Sequence, residues 1–532
     1  MTRAARLGPI ALALGAALLI GAPLATANAQ GAAQGAAAQQ GLIAMHDLAL
    51  SLSVPATPVV SGEDFLAQVS VVNNGAGPAD APDDLDEAAY TFTLTPQGGG
   101  APIGLSADAK KRMAMPGAKV ERNYPAPKVE MESLDPGEER ISEFYPARYA
   151  PNPLPAGVYD MTAALLTDRS LVSPPVRLVV TPARAVALSV TPRGPMSGVD
   201  VAFVHRDADG HGFLFQGNAA ALAPTRVAGL RSADLGMIAP GASVQVAQAH
   251  PAEDQSGPAW AAWLTDGGRL AAVLSYSAYV AGSVAAVDLG LSAATLQQTG
   301  WVDPEEKTRV SFAALGLGEM GPELALVRID ANAGWSAQVT RTPLGLSAAP
   351  AIWRLIPLES GAGHLLIAAM RDGAGAAVFA VPIGADGVAA SPRRINEAPA
   401  PLVAMSVPRA IGADAEVHLL FGPYVAENTA RMVFRRVPLV GGDPFDLPFR
   451  VPMDAGATPT GWALADGAPP VTVMAAWLGR RLLGLKIAAS STGGVLLDGI
   501  EGAAGLSVIT IGPNAFAVWR TAEGGIESLP FP

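Results

Sequence analysis

The 532-residue chain contains no cysteine. That excludes a disulfide framework, a thiol nucleophile and any Cys-ligated zinc or iron–sulfur centre. Charged residues make up only 15% of the chain, and lysine is rare, with six against 29 arginines. Basic residues number 35 against 47 acidic ones, a net charge of −12, or −14 once Arg3 and Arg6 are set aside. Nucleic acid and anionic membrane surfaces require basic patches, so neither is an expected partner. Aromatics amount to 6%. That is too few for the two interfacial girdles of an outer-membrane barrel. Beyond the N-terminus no run approaches ~18 uninterrupted apolar residues, so no membrane span is expected. The Gly-x-Ser-x-Gly elbow, the Ser-x-x-Lys pair, the Gly-Lys-Ser/Thr phosphate loop and His-Glu-x-x-His are all absent. The nucleophile, phosphate-loop and zinc-protease chemistries they carry lose their usual signatures.

What is present is apolar sequence, half of the chain, punctuated by 58 glycines and 46 prolines. Together these two make about a fifth of the residues, against a usual ~12%. The chain is too apolar for disorder and lacks a Gly-X-Y period. It is long enough for several cores. Low charge with much Gly and Pro predicts many short strands joined by turns, an all-β protein.

The N-terminus reads as a cleavable signal peptide over residues 1–29. Arg3 and Arg6 precede an apolar stretch at 7–24 that is broken by Gly8, Pro9 and Pro23, and Ala27-Asn28-Ala29 supplies small residues at the cleavage point. The mature chain would have 503 residues and be exported, to the periplasm or beyond. No cysteine follows, so lipid anchoring there is excluded. Residues 30–41, QGAAQGAAAQQG, hold no large apolar side chain and read as a disordered tether.

Residues 42–182 alternate with period two. FLAQVSVV at 65–72 runs into the turn signal Asn73-Asn74-Gly75, and YTFTL at 90–94, GVYDMTAA at 157–164 and VRLVV at 176–180 follow. Such strands over about 140 residues predict an antiparallel β-sandwich. VSVVNNGAGPADAP at 69–82 resembles the V-x-V-x-N-x-G-x-x-x-A stretch of the bacterial cell-adhesion-related (CARDB-type) Ig-like family. LPAGVYDMTAALLTD at 154–168 resembles that family's closing strand. The resemblance implies an Ig-like domain. Residues 106–150 depart from the pattern with a mixed-charge insertion holding Lys110, Lys111, Lys119 and Lys128. It reads as a solvated face, with docking as the alternative.

Residues 183–532 repeat. Seven apolar strands align, starting at Val199, Ala259, Glu323, His364, Val417, Val471 and Ala515. Their spacings of 60, 64, 41, 53, 54 and 44 residues suit four-stranded units with variable loops better than a tight solenoid. Such units bury both faces only if neighbours cover each other, which radial packing achieves. The expectation is a β-propeller of seven blades, with six and eight left open. Residues 187–190 are the expected fourth strand of an incomplete last blade. No Kelch or WD-type signature marks the repeats, so the architecture implies no activity.

Several motifs invite chemistry. Gly316-Leu317-Gly318-Glu319-Met320-Gly321 matches a dinucleotide fingerprint, yet Pro322 and a strand follow where a helix is needed, so it reads as a loop. His205, Asp207, Asp209 and His211 form the most polar cluster. Asp-x-Asp-Gly resembles the start of the calcium loops of integrin-type propeller blades, and the two histidines would favour a transition metal. The competing reading is an Asp-Gly hairpin turn, because the closing Glu is missing. Calcium or another divalent metal is the one cofactor considered. Trp263, Trp477 and Trp519 fall at similar places in three repeats. They read either as indole platforms for a ligand or as packing between blades. Asp80, Asp83, Asp84, Asp86 and Glu87 crowd one acidic loop. His364 and His418, within strands, read as packed residues.

An exported chain without a catalytic motif reads as a monomeric binding or scaffold protein that engages a protein or a glycan through a propeller face. A carbohydrate hydrolase or lyase and a structural envelope component are the alternatives. A central pocket holding two carboxylates about 5–9 Å apart would favour the enzyme.

Overall fold

The computed structural model describes residues 47–82, 89–106, 131–150, 153–194, 198–219, 225–227, 229–248, 258–265, 268–276, 279–298, 308–358, 363–408, 411, 415–426, 429–452, 459–465, 472–478, 481–488, 491–498, 504–511, 514–521 and 525–531. The signal peptide, the tether, most of the acidic loop (Asp83, Asp84, Asp86, Glu87) and the four insertion lysines lie outside them. So do His46 and His250. Among the described residues there is no α-helix, only one short 3-10 turn at Pro146–Tyr149. No helix there is long and apolar enough to cross a membrane.

The described N-terminal part is a sandwich of two main sheets, with a two-stranded ribbon of Ala79–Pro82 and Met131–Leu134. One has Leu48–Ser53, Ala67–Asn73 and Glu139–Phe144, with Ala67–Asn73 in the middle. The other orders Val59–Val60, Val176–Thr181, Gly157–Leu165, Tyr90–Pro96 and Ile103–Ser106. Alternate residues of each strand point inward, as the sequence pattern requires. Val69 and Val71 thus meet Tyr90, Phe92, Met161 and Leu178 in one core. Asn73 ends its strand fully buried. Its side-chain amide donates to the carbonyls of Gly77 and Leu134, both at 2.8 Å, and its oxygen accepts from Gly75 N–H. A turn residue is thereby made a core anchor, because every hydrogen-bonding group it buries is satisfied.

From Ala183 onward the chain forms seven four-stranded antiparallel sheets. Their first strands are Ala183–Gly194, Val244–Gln248, Ser292–Gln298, Ile352–Pro357, Leu402–Ser406, Pro459–Leu464 and Ala504–Ile511. Numbered 1 to 7 in that order, each sheet packs on the next through its own apolar core. Trp263 and Val273 of sheet 2 meet Val204 and Leu214 of sheet 1. The chain of cores runs on to sheets 6 and 7. A final core joins sheet 7 to sheet 1, with Phe516, Val518 and Ile526 against Val199, Val201, Phe203 and Phe215. The second strands explain the apolar runs in the sequence. In Ala259–Leu264 every residue is buried, with Ala259, Ala261 and Trp263 on the sheet 1 side and Trp260, Ala262 and Leu264 on the sheet 3 side. Period two is present but invisible to hydropathy, because both faces are covered.

Two expectations are corrected. The fourth strand of sheet 7 is Thr225–Val227, which pairs with Ile526–Phe531. Residues 187–190 instead belong to the first strand of sheet 1 and pair with Gly198–Asp207. Hydropathy at 187–190 reflects packing against neighbouring sheets, not an open edge awaiting a partner. The Glu323 strand, Gly321–Asp330, is the third of its sheet, whereas the aligned strands of the other sheets are second strands. The true counterpart is Arg309–Gly318. It lies 50 residues after Ala259 and 55 before His364, so the spacings of 64 and 41 came from this misassignment. Both strands of that hairpin are equally apolar, which is why the sequence did not distinguish them.

Asp47–Pro532 is one compact unit. Only Pro182 separates the sandwich strand Val176–Thr181 from sheet 1. Val60 enters the core between sheets 7 and 1, Asp64 N–H donates to Gly229 O at 2.9 Å, and Arg231 pairs with the buried Glu63 at 2.5 Å. Burial pushes the Glu63 carboxyl above its usual range, and the Arg231 charge partly opposes this.

Candidate functional site

Each first strand is the terminal strand of its sheet, so one of its edges has no ladder partner. The first strands of sheets 1 to 3 pack on one another in succession, as do those of sheets 4 to 7, and sheet 7's packs on sheet 1's. Backbone N–H and C=O groups on such edges require partners other than a neighbouring strand. Between the first strands of sheets 3 to 7 lies a cavity of about 420 Å³. Its walls are residues 295–297, 351–354, 403–405, 462–464 and 506–508, one segment from each of the five strands.

Polar side chains organise one wall. The Trp353 indole N–H donates to Thr295 Oγ1 at 2.9 Å, which ties sheet 4 to sheet 3. The Trp353 carbonyl accepts from Gln297 Nε2 and, at 3.0 Å, from Arg354 Nη1. Trp353 itself turns into the core between sheets 3 and 4. The next residue must point to the opposite face of its strand. Arg354 therefore shares a face with Ile352 and Ile356, the side of sheet 4 that packs on sheet 5. Trp462 and Leu464 occupy the side of sheet 6 that also packs on sheet 5. Arg354 and Trp462, both half-buried, thus flank Val403–Met405 from opposite sides. Among the described residues of the lining, Arg354 is the one that is ionisable. No described carboxylate forms an ion pair with it. The described lining offers hydrogen-bonding hydroxyls, an amide, a cation and the Trp462 indole, but no acid–base pair.

The residues singled out from sequence lie elsewhere. Trp519 is fully buried between sheets 6 and 7 and Trp263 nearly so between sheets 1 and 2. Trp477 lies on the second strand of sheet 6, in register with Leu482. The four candidate metal ligands do not converge. His205 is buried, its ring tilted against Phe203 and Phe215 at 4.9 and 5.1 Å. His211 is exposed, and its N–H donates to Asp207 Oδ1 at 2.8 Å across the hairpin turn, where Gly210 has φ of +97°. Asp209 is exposed in the same turn. Among the described residues no group of three or more His, Asp or Glu is placed to hold a metal ion. Burial pushes the His205 imidazole down to about 3, with the Ser61 backbone opposing. Burial likewise lowers His364 and His418, the latter lying edge-on to Phe434 at 5.3 Å. Gly316–Gly321 forms a hairpin with Gly318 opposite Gly321 and no helix after it.

Sequence reasoning missed Trp353, Arg354 and Trp462. A signal existed, since AIWRL at 351–355 and TGWAL at 460–464 each place a Trp ahead of a long apolar second strand. The longest apolar runs are second strands, which are covered on both faces and so belong to the core.

No protein-family model matches the chain, and no curated protein matches it. Among solved structures it is similar to the lectin SapL1 in complex with alpha methyl fucoside, at 12% identity and a TM-score of 0.34, over 60% of this chain and 96% of that one. It is similar to the polysaccharide lyase Uly1 at 8% identity and 0.39, over 65% and 89%. The beta-propeller domain of Cps50 (Swd1) from Myceliophteria thermophila gives 12% identity and 0.34, over 65% and 100%.

Proposed function

We propose that this chain is an exported, non-catalytic glycan-binding protein, an Ig-like sandwich joined to a seven-bladed β-propeller whose central cavity takes the ligand. The seven sheets, each packed on the next and the last on the first, support the propeller. The Tyr159 hydroxyl donates to Pro155 O, four residues upstream, at 2.7 Å. That arrangement supports the Ig-like reading, where a strand-initial tyrosine pins its own corner. The signal-peptide pattern at 1–29 supports export.

The observation that carries the function is the lining of the cavity. Five unpaired strand edges with Thr295, Gln297 and Ser507 offer many donors and acceptors, and Trp462 offers an apolar face. Hydroxyl-rich rings with C–H faces fit such a surface. Glycoside cleavage needs two carboxyl groups, and the described lining has none.

The test is a neutral and acidic oligosaccharide array probed with the purified chain, followed by calorimetry on the hits. Trp462→Leu is expected to weaken binding by about tenfold with the melting temperature held within a few degrees. New reducing ends appearing in a bound glycan would overturn the non-catalytic reading.

A further inference from the structure

We propose that the cavity selects a hydroxylated ligand bearing a single carboxylate, of the uronic-acid class, and that Arg354 receives that carboxylate. The inference rests on the cavity being the binding site. Arg354 is the single ionisable residue among the sixteen described residues that line it, and no described acid is paired with it. One guanidinium nitrogen is held by the Trp353 carbonyl at 3.0 Å, which fixes the head group and leaves further N–H donors for a ligand. A planar guanidinium matches a carboxylate with two parallel hydrogen bonds.

Charge decides the ligand class. One cation neutralises one carboxylate. A phosphate with about −1.5 to −2 charge would leave excess negative charge in a cavity whose described lining offers no second cation. The chain's net charge of −12 repels long polyanions. A short ligand with one acidic group avoids both penalties. Thr295, Gln297 and Ser507 suit its hydroxyls, and Trp462, across Val403–Met405 from Arg354, suits its ring face.

The experiment is titration calorimetry of the full purified chain with D-glucuronate, D-glucose and inorganic phosphate. Glucuronate is expected to bind at least about tenfold more tightly than either of the others. Arg354→Gln is expected to bring glucuronate down to the affinity of glucose while Trp462→Leu weakens both sugars. Arg354→Lys, which keeps the charge without the fork, is expected to retain part of the preference and serves if the Gln variant does not fold. Equal binding of the two sugars, or glucuronate binding that is indifferent to Arg354→Gln, would overturn the carboxylate inference and leave the cavity reading standing. Phosphate matching glucuronate would also overturn it. Failure of both sugars at about 10 mM would overturn the cavity reading itself.

Discussion

His205 shows how a single position changes meaning between chain and fold. In sequence it neighbours Asp207, Asp209 and His211, which suggests a ligand set. In the structure its ring lies tilted against the stacked pair Phe203 and Phe215, and a Cβ on Gly62 would stand 3.2 Å from its Cε1. The cause is strand alternation, which sends His205 into the core between sheets 7 and 1 with Val201 and Phe203. Burial disfavours the imidazolium, so the folded chain binds this proton only near pH 3, the unfolded chain near its ordinary 6.5. The folded protein therefore has the full benefit above about pH 6.5 and loses it as pH falls towards 3. Between pH 7.5 and 4.5 the loss is about 3 kcal/mol for two units. Denaturant unfolding at the two pH values is expected to show that loss, and His205→Leu to remove it. An unchanged pH difference in the variant would show that other groups carry the acid sensitivity.

At the scale of elements, the seams between sheets hold more information than the sheets themselves. Trp335 follows a sharp turn with φ of +61° and lays its ring over Gly282 on the fourth strand of sheet 2, 5.9 Å from Trp260. A Cβ at Gly282 would fall 2.0 Å from Trp335 Cζ2. Gly282→Ala must therefore push the indole off its seat, and overpacking of this kind costs about 1–3 kcal/mol. Thermal unfolding is expected to show a lower midpoint for Gly282→Ala, and Trp335→Leu in the same background to recover part of it. The sequence marks neither residue, since both gain their role from a neighbour more than 50 residues away. The same holds for Trp353, whose partners Thr295 and Gln297 belong to another sheet.

The last sheet is completed by a strand borrowed from near the start of the repeats. Thr225–Val227 leaves the third and fourth strands of sheet 1 on either side of it and completes sheet 7. Directly opposed antiparallel residues have Cα atoms about 4.5–5.5 Å apart, within disulfide range. Thr225 and Ser528 are such a pair. Because the chain has no cysteine, Thr225→Cys with Ser528→Cys would form a unique bond closing a loop of roughly 300 residues. The oxidised form is expected to be more stable than the reduced one by about 3–5 kcal/mol. Comparing melting with and without reductant checks this, and equal melting would mean the closure does not limit unfolding.

The chain's own letters determined that it is all β, that its strands are numerous, and that an apolar unit recurs after residue 183, with seven preferred and six or eight left open. Alternation, turn residues and run length are local quantities, and local sequence carries them. They also located six of the seven second strands, because a strand covered on both faces must be apolar throughout. The strand that closes sheet 7, the meeting of Trp353 with Thr295, and the cavity flanked by Arg354 and Trp462 were decided by the tertiary structure alone. The first strands around the cavity are five to eight residues long and chemically mixed, and their unpaired edges lie together only once the sheets have packed. No property of 351–355 or 460–464 taken separately encodes that proximity.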